Sequence, residues 1–502
     1  MDKRRIIPIE LPKDQYGNDP ADRPIGSEAD KQYHYVLNNR MRGAIALANN
    51  DSDTPTPTQA LIELDDLSEL ELGQMFIRQY GDRFRHVPGK GTLFYDGYRW
   101  TTDDRKRAFS CAQQIQKDVA AGKETTEKKR LKSKATRTAI LDFALTDTKI
   151  IQPAQDFEKS RHLLNTPDGV LNLKTGIVEK SDPGHYFLHL TTCGYDDSRP
   201  EKFLTFLDEV FANDPAIIDF VQRVLGYCVS GEIREHKLFF FYGTGANGKS
   251  VLLDLLNWML GSYSINYPAS ALMKKTNESH PTELALLEGK RLAISPELER
   301  SQHWAESRIK ELAGTDTITA RKMRQDFYEF DVTSKHIVCG NYEPAFQGGD
   351  AAMQRRIIQI RFNQVFSEDK RDPDLLEKLK EEADAIMGWL VKGAKKWYRD
   401  GLQPPPSVKK DSDDYFRSMD DIGLWLEECC DVTGIPRDFT SNTDLYESYK
   451  NWKLSCGTQP LSRQNLSREL KKREGIQIGQ KRAGHRGSSG IILKGPVSPF
   501  NG

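Results

Sequence analysis

The sequence predicts an α/β protein built around a nucleotide-binding core with a mainly parallel sheet. The first observation behind this is an apolar run, Leu238-Phe239-Phe240-Phe241-Tyr242, that leads straight into Gly243-Thr244-Gly245-Ala246-Asn247-Gly248-Lys249-Ser250. That segment has the full G-x-x-x-x-G-K-[ST] spacing, and Val251-Leu252-Leu253 opens a helix behind it. The second is the recurrence of apolar runs at Arg291–Ser295, Lys335–Asn341 and Arg356–Phe362, separated by mixed or helical segments. The third is bulk composition: 502 residues, 37% hydrophobic and 29% charged, suit a globular chain of several domains.

Each part of the glycine-rich segment has a physical job. The glycines permit positive φ and close backbone approach, so successive N–H groups can face phosphate oxygens. Lys249 is placed to neutralise the β- and γ-phosphates, and the Ser250 hydroxyl to hold Mg²⁺. The helix behind adds the positive end of its dipole. Gly243, Thr244, Gly245, Ala246, Asn247, Gly248, Lys249 and Ser250 are therefore the predicted triphosphate cradle, with a nucleoside triphosphate and Mg²⁺ as cofactors.

The later strands supply candidates at their ends. Leu292–Ser295 runs into Pro296-Glu297-Leu298-Glu299, where one carboxylate could position Mg²⁺ and one polarise an attacking water. A surface acidic turn is the plain alternative. Asn341 ends the next strand and could touch a γ-phosphate, although an asparagine there is also an ordinary turn residue. Arg355 and Arg356 precede the last strand; they could be arginine fingers reaching a neighbouring subunit, but spacing alone favours an ordinary surface ion pair. Alternation on both sides of Lys322–Asp326 predicts a hairpin with a basic tip, fit either for a phosphate backbone or for solvent.

The flanks are read more coarsely. Residues 1–70 form a polar, weakly ordered tail and linker, with order beginning near Leu72. Residues 71–230 form an α+β and helical region. It has a hairpin around Asp96-Gly97, a helix from Arg105 to Val119, a lysine-rich solvated stretch at Gly122–Lys134, and strand alternation over 163–175. Two helices follow, one from Pro200 to Phe211 and one started by Asp214-Pro215. The core spans 231–400, ending in a helical region from Asp374 to Tyr398. A Pro-rich linker covers 401–412, and 413–502 forms a small separate domain. Helix, helix and a Gly-rich hairpin there describe a winged helix. From Lys450 to Lys494 eleven basic residues face two acidic ones, although the whole chain has a net charge of −1; this local footprint predicts a DNA-binding domain, with a protein-docking module as the alternative.

Other classes are disfavoured. No apolar run approaches the ~18 residues that a membrane span needs, and the basic N-terminus has no apolar signal-peptide core. The seven cysteines form no C-x-x-C, so buried or incidental thiols in a reducing cytoplasm are expected rather than zinc or disulfides.

Taken in order, the motifs resemble the superfamily 3 helicases of the phage and plasmid primase–helicase type and their poxvirus relatives. The residues carrying the resemblance begin with Leu164-Asn165, Asp168-Gly169-Val170-Leu171-Asn172-Leu173 and Gly226-Tyr227, and then the Gly243–Ser250 loop. Next come Gly289-Lys290-Arg291-Leu292 leading to Glu297, Asp316 to Arg321, Lys335 to Pro344, and Arg355-Arg356 to Phe362. The resemblance implies an AAA+-like P-loop core in a hexameric ring with nucleotide sites between subunits, moving 3′ to 5′ on DNA. It implies Lys249 and Ser250 for nucleotide and metal, Glu297 for metal and water, and Asn341 as the sensor. Arg355 or Arg356 would be the finger supplied in trans, and Arg321, Lys322 and Arg324 the DNA-tracking hairpin. Pro296 departs from the small polar residue usual in the family, and the acids at 297 and 299 do not form an adjacent doublet.

The expected function is an ATP-dependent replicative DNA helicase of a phage, prophage or plasmid, acting in the host cytoplasm. Its partners would be single-stranded and duplex DNA, copies of itself and host replication proteins, with no membrane. Two other readings stay open: a bifunctional primase–helicase, and a nucleotide-switched origin-binding or loader protein. The region before residue 163 is expected to be too short for a complete primer-synthesis domain.

Overall fold

The first helix begins where a capping box starts it. Ser68 Oγ accepts the Glu71 N–H at 3.3 Å while the Glu71 carboxylate accepts the Ser68 N–H at 2.9 Å. Helix α1 (Glu69–Tyr80) therefore starts slightly before the predicted onset of order at Leu72. The structure is a computed structural model that describes residues 68–274, 282–296, 298, 302–346, 351–482 and 484–494. The tail expected over 1–70 lies almost wholly outside the described residues. After α1, β1 (Phe84–Val87) and β3 (Trp100–Thr102) flank β2 (Gly91–Tyr95) in an antiparallel sheet. The β2–β3 connection turns at Asp96-Gly97, with Gly97 at φ +104°. Helices α2 (Arg107–Val119), α3 (Thr125–Leu131) and α4 (Lys134–Leu145) pack with α1 around Leu72, Phe76, Ile115 and Ile140. The lysine-rich stretch falls largely on α3, which buries only Leu131 and turns its charges outward.

Strands β4 (Leu163–Thr166) and β5 (Gly169–Asn172) pair as a hairpin, with β6 (Val178–Glu179) beside β5. Then come α5 (Glu201–Val210) and α6 (Pro215–Val229). The start of α6 is fixed by Asp214, whose Oδ1 accepts the N–H groups of Ala216 and Ile217 at 2.9 and 3.2 Å.

The central sheet follows from the apolar runs. β7 (Leu238–Tyr242), β8 (Ser264–Asn266), β9 (Leu292–Ser295), β12 (Lys335–Gly340) and β13 (Ile357–Arg361) lie in the spatial order β13-β7-β12-β9-β8, with every pairing parallel. Leu238 to Phe241 are all buried, as suits a parallel strand covered on both faces. Between these strands run α7 (Lys249–Leu260), α8 (Glu306–Gly314), α9 (Ala351–Gln354) and the antiparallel pair β10 (Thr317–Arg321) and β11 (Phe327–Asp331). α5 and α6 bury Phe203, Phe206, Val221 and Leu225 in the same core as β7 and α7. The boundary expected at 230/231 thus marks no break in packing.

β12 opens on two buried basic side chains, Lys335 and His336. Lys335 Nζ donates to Thr333 O at 2.9 Å and to Ser230 O, and among the described residues no carboxylate pairs with it. Burial pushes its ammonium down to about 7, and pushes the His336 imidazole down to about 4. Between about pH 7 and the ordinary lysine value of 10.5, the unfolded chain keeps the Lys335 proton and the folded chain gives it up. The contribution of Lys335 to stability therefore rises with pH across that window. Thermal unfolding at pH 7 to 9 should show the wild type gaining on Lys335→Met as pH increases; parallel curves would contradict the buried ammonium.

Two expectations at the end of the core are corrected. The helical region predicted from Asp374 to Tyr398 is split into α10 (Leu375–Lys380) and α11 (Ala383–Asp400). The break frees the Glu382 carboxylate to accept the N–H groups of Lys202 and Phe203, both at 3.1 Å, at the start of α5. The Pro-rich linker predicted over 401–412 is also much shorter. Pro406 serves as the first residue of α12 (Pro406–Ser418), which lies along β13 with Ser412 Oγ accepting the Gln359 N–H at 3.0 Å. The Tyr415 hydroxyl donates to Pro344 O at 2.5 Å and accepts from Trp304 Nε1 at 2.7 Å, so α12 belongs to the core and not to the terminal domain.

The C-terminal unit comprises α13 (Asp421–Cys429), β14 (Cys430–Val432), β15 (Phe439–Ser441), α14 (Asn442–Ser455) and α15 (Arg463–Leu470). The β16–β17 hairpin (Gln477–Arg482, His485–Ser489) and β18 (Ile491–Leu493) complete it. Trp425, Leu445, Tyr449, Leu466 and Ile491 fill its core. Part of its basic excess is structural: Lys453 pairs with Asp421 at 2.6 Å and Arg473 with Asp420 at 2.5 Å. Lys481 and Arg486 remain exposed on the hairpin. No helix among the described residues is long and apolar enough to cross a membrane.

Candidate active site

The turn after β7 is shaped by backbone conformations that few side chains tolerate. Gly248 takes φ +82°, and a Cβ there would meet Val210 Cγ2 at 2.6 Å and the Phe206 ring at 3.1 Å. At Gly243 a Cβ would meet Phe362 O at 2.5 Å. The turn is tied down on both sides, by Gly243 N–H on Gly340 O at 3.2 Å and by Phe366 N–H on Ala246 O at 2.8 Å. The loop's path is thus dictated by β12 and by the chain leaving β13.

Lys249 opens α7 with its side chain buried and turned back into the loop. Nζ donates to Gly243 O at 2.7 Å, Asn247 Oδ1 at 2.9 Å and Asn341 Oδ1 at 3.3 Å, one acceptor for each ammonium proton. Burial holds this ammonium below the usual lysine value. Asn247 is fixed in turn, its Nδ2 donating to Phe362 O at 3.2 Å. Asn341 reaches Lys249 because β12 lies next to β7 and ends at the same edge of the sheet.

These groups line a cavity of about 810 Å³. Gly245 to Val251 form its floor, and Cys339, Gly340, Asn341 and Pro296 form one wall. Ser250 is exposed to it, whereas Gly243 and Thr244 are not part of its lining. The opposite wall comes from residues that sequence reading missed: Lys202, Thr205, Phe206 and Glu209 of α5, and Phe366, Lys370, Arg371, Asp372, Leu375 and Lys378 around α10. No motif marks them; the charged stretch after β13 was the only trace. The arrangement joins helix-terminal N–H donors, a buried ammonium and an apolar shelf, which can hold an anionic group with an attached planar one.

Glu297 lies outside the described residues, as does Glu299. Their described neighbours are Pro296 on the cavity wall and the buried Leu298.

Arg355 and Arg356 are far from this cavity. Arg356 O accepts the N–H of Leu238, the first residue of β7, so the pair sits at the N-terminal end of the strands while the glycine-rich loop sits at the C-terminal end. A five-residue strand at ~3.3 Å per residue separates them. Arg356 Nη1 donates to Ala352 O at 2.9 Å, and Arg355 is exposed.

The basic hairpin forms as predicted, with Arg321 aligned with Phe327 across β10 and β11. Arg321 lies over the Phe327 ring at 5.1 Å and Lys322 over the Tyr328 ring at 5.5 Å. Arg324 takes φ +61° at the tip. Two exposed apolar side chains stand among these cations, Met323 at 80% and Phe327 at 59% exposure. Cations beside open aromatic and thioether faces form a surface that can follow a sugar–phosphate chain and stack on its bases.

Known proteins place this geometry among relatives. Residues 73–212 match the family model described as "D5 N terminal like", and residues 241–356 match a family of unknown function, DUF5906. A protein of Acanthamoeba polyphaga mimivirus named "Putative helicase" is 24% identical over 417 residues, covering 78% of this chain and 42% of the relative. An African swine fever virus protein named "Putative primase" is 21% identical over 326 residues, covering 59% of this chain and 34% of the relative. A Sputnik virophage protein named "Putative helicase" is 24% identical over 272 residues, covering 50% of this chain and 35% of the relative. The chain therefore spans under half the length of each of these relatives. Among solved structures, the apo NrS-1 C-terminal region aligns with TM-score 0.51 at 14% identity, covering 86% of this chain and all of that one, which shows a shared fold.

Proposed function

We propose that this chain, which carries in order the two segments typical of phage and viral primase–helicases, is an ATP-driven motor that separates DNA strands. The observation that carries the reading is the layout of one sheet: Lys249 and Asn341 at one end, Arg355 and Arg356 at the other, and a basic hairpin with exposed Phe327 and Met323 beside it. Groups at opposite ends of a subunit meet when copies stack head to tail, and such a contact closes into a ring when the rotation between copies divides a full turn. The arginines of one copy then complete the cavity of the next and stabilise charge developing on the γ-phosphate.

In this reading the cavity takes ATP. The ammonium of Lys249 exchanges its loop acceptors for phosphate oxygens, which give its charge an anionic partner, and the first N–H groups of α7 face the same oxygens. The Ser250 hydroxyl and the Glu297 carboxylate would hold Mg²⁺, which supplies charge neutralisation across the phosphates. Asn341 orients the attacking water or the γ-phosphate, and Phe206 with Leu375 takes the base. The strand order supports an AAA+-like core, and the C-terminal helices and hairpin support a winged helix that adds duplex contacts through Lys481 and Arg486. The site of action is DNA in the host cytoplasm.

Incubation with forked DNA carrying a 3′ or a 5′ tail, ATP and Mg²⁺ should yield separated strands for one polarity. No separation on either fork would contradict the proposal. Arg356→Ala should bind nucleotide yet lose about 10³-fold in turnover. Mixing it with Lys249→Ala chains should restore part of the activity, since a mixed interface unites an intact P-loop with an intact arginine. Absence of recovery would refute the contribution in trans. The name of the African swine fever virus relative favours a second reading, a bifunctional primase–helicase; primer synthesis on a single-stranded template decides it.

A further inference from the structure

A second cavity, of about 730 Å³, lies between the β1–β2 turn, the segment before β4, the loop before β9 and the β10–β11 hairpin. Six lysines and arginines line it against four carboxylates. At its centre one carboxylate gathers donors from distant parts of the chain. Glu288 Oε1 is 2.6 Å from Lys90 Nζ of the β1–β2 turn. Its Oε2 is 3.5 Å from Lys322 Nζ of the hairpin and accepts the Tyr328 hydroxyl at 3.1 Å. Burial would raise this carboxyl, but Lys90, Lys322 and Tyr328 together hold it below the usual range, so it stays an anion. Behind it, Lys290 Nζ donates to Ser262 O at 2.6 Å and Arg99 Nη1 to Ser262 Oγ at 2.8 Å, which fixes two more cations on the cavity wall.

We propose that this cavity is a phosphate-backbone site for single-stranded nucleic acid, shared between the N-terminal sheet and the hairpin, in which a phosphate takes the place of the Glu288 carboxylate on Lys90 and Lys322. The inference rests on the hairpin's reading as a nucleic-acid contact and extends it to a domain with no assigned part in binding. The site suits a polyanionic chain better than a free nucleotide. Its cations come from five separate segments, and the exposed Met323 and Phe327 continue the surface along the hairpin. In the exchange both lysines keep an anionic partner, while Glu288 keeps the Tyr328 hydroxyl. Glu288 thereby sets how readily Lys90 and Lys322 take up the strand.

The test is anisotropy of a labelled oligothymidylate on the full chain over a series of salt concentrations. Lys90→Ala should weaken binding about fivefold or more and lower the slope of log K against log salt by about one. Lys90→Arg should restore both. Glu288→Gln should tighten binding about threefold or more by removing the competing anion. Unfolding temperatures close to wild type show that the exposed turn still folds, and the Lys90→Arg comparison holds packing nearly constant. A wild type that binds the oligonucleotide while Lys90→Ala binds it with equal affinity and slope overturns the shared site alone. A wild type that binds no single strand overturns the motor reading as well.

Discussion

Lys249→Ala is expected to cut ATP hydrolysis by about 10²–10³-fold or more, the scale on which losing one preorganised charge donor acts. In the folded chain Nζ is held by three oxygens, two of the loop and one of Asn341, and is almost fully withdrawn from solvent. That desolvation makes the ammonium strong toward phosphate, because no water competes for it. Truncation also removes a cation whose burial is unfavourable, so the fold should lose little. Phosphate release measured with ATP and Mg²⁺, alongside a thermal melt, separates the two. Turnover within tenfold of wild type would show that the loop is not the hydrolytic site.

Gly226→Val should be strongly damaging to the fold. α6 and α11 cross so closely that a Cβ on Gly226 would lie 2.1 Å from Ala394 N, and one on Gly393 would lie 2.0 Å from Gln222 O. Both obstacles are backbone, so the helices must part and open the core holding Phe203, Tyr227 and Trp389. Overpacking of this kind costs about 3 kcal/mol or more. Gly393→Val should do the same by the reciprocal contact. Chemical denaturation with intrinsic fluorescence reads this directly, and a midpoint unchanged in either variant would contradict the crossing.

Much of this was legible in the chain. Leu238 to Phe241 announce a strand buried on both faces, and the Gly243–Ser250 spacing admits few other readings. The hairpin at Arg321–Phe327 was visible from alternation, and α6 from Asp214-Pro215. Spatial order was not. Asn341 meets Lys249 only because β12 inserts between β7 and β9, a fact of pairing that periodicity does not carry. The same holds for Arg355 and Arg356, whose distance from the loop depends on which end of β13 they precede. The run at Pro404-Pro405-Pro406 suggested a linker because proline interrupts helices, yet at the first helical position it starts one. Glu288 carried no signal at all, since Lys90 and Lys322 approach it from far apart in sequence.

The C-terminal domain shows the limit of counting charges. Its basic excess suggested a broad nucleic-acid face, but Lys453, Arg463, Lys472 and Arg473 are each paired with a carboxylate of the same domain. The exposed hairpin cations Lys481 and Arg486, with Arg468 and Lys471 at the end of α15, are among those that a duplex backbone could still recruit.

The most direct test of the central claim is steady-state ATP hydrolysis by the full chain, measured with Mg²⁺ in the presence and absence of single-stranded DNA. A motor whose hairpin senses the strand should turn over roughly tenfold or more faster with DNA, with the gain falling as salt rises. Equal rates with and without DNA at low salt would contradict it.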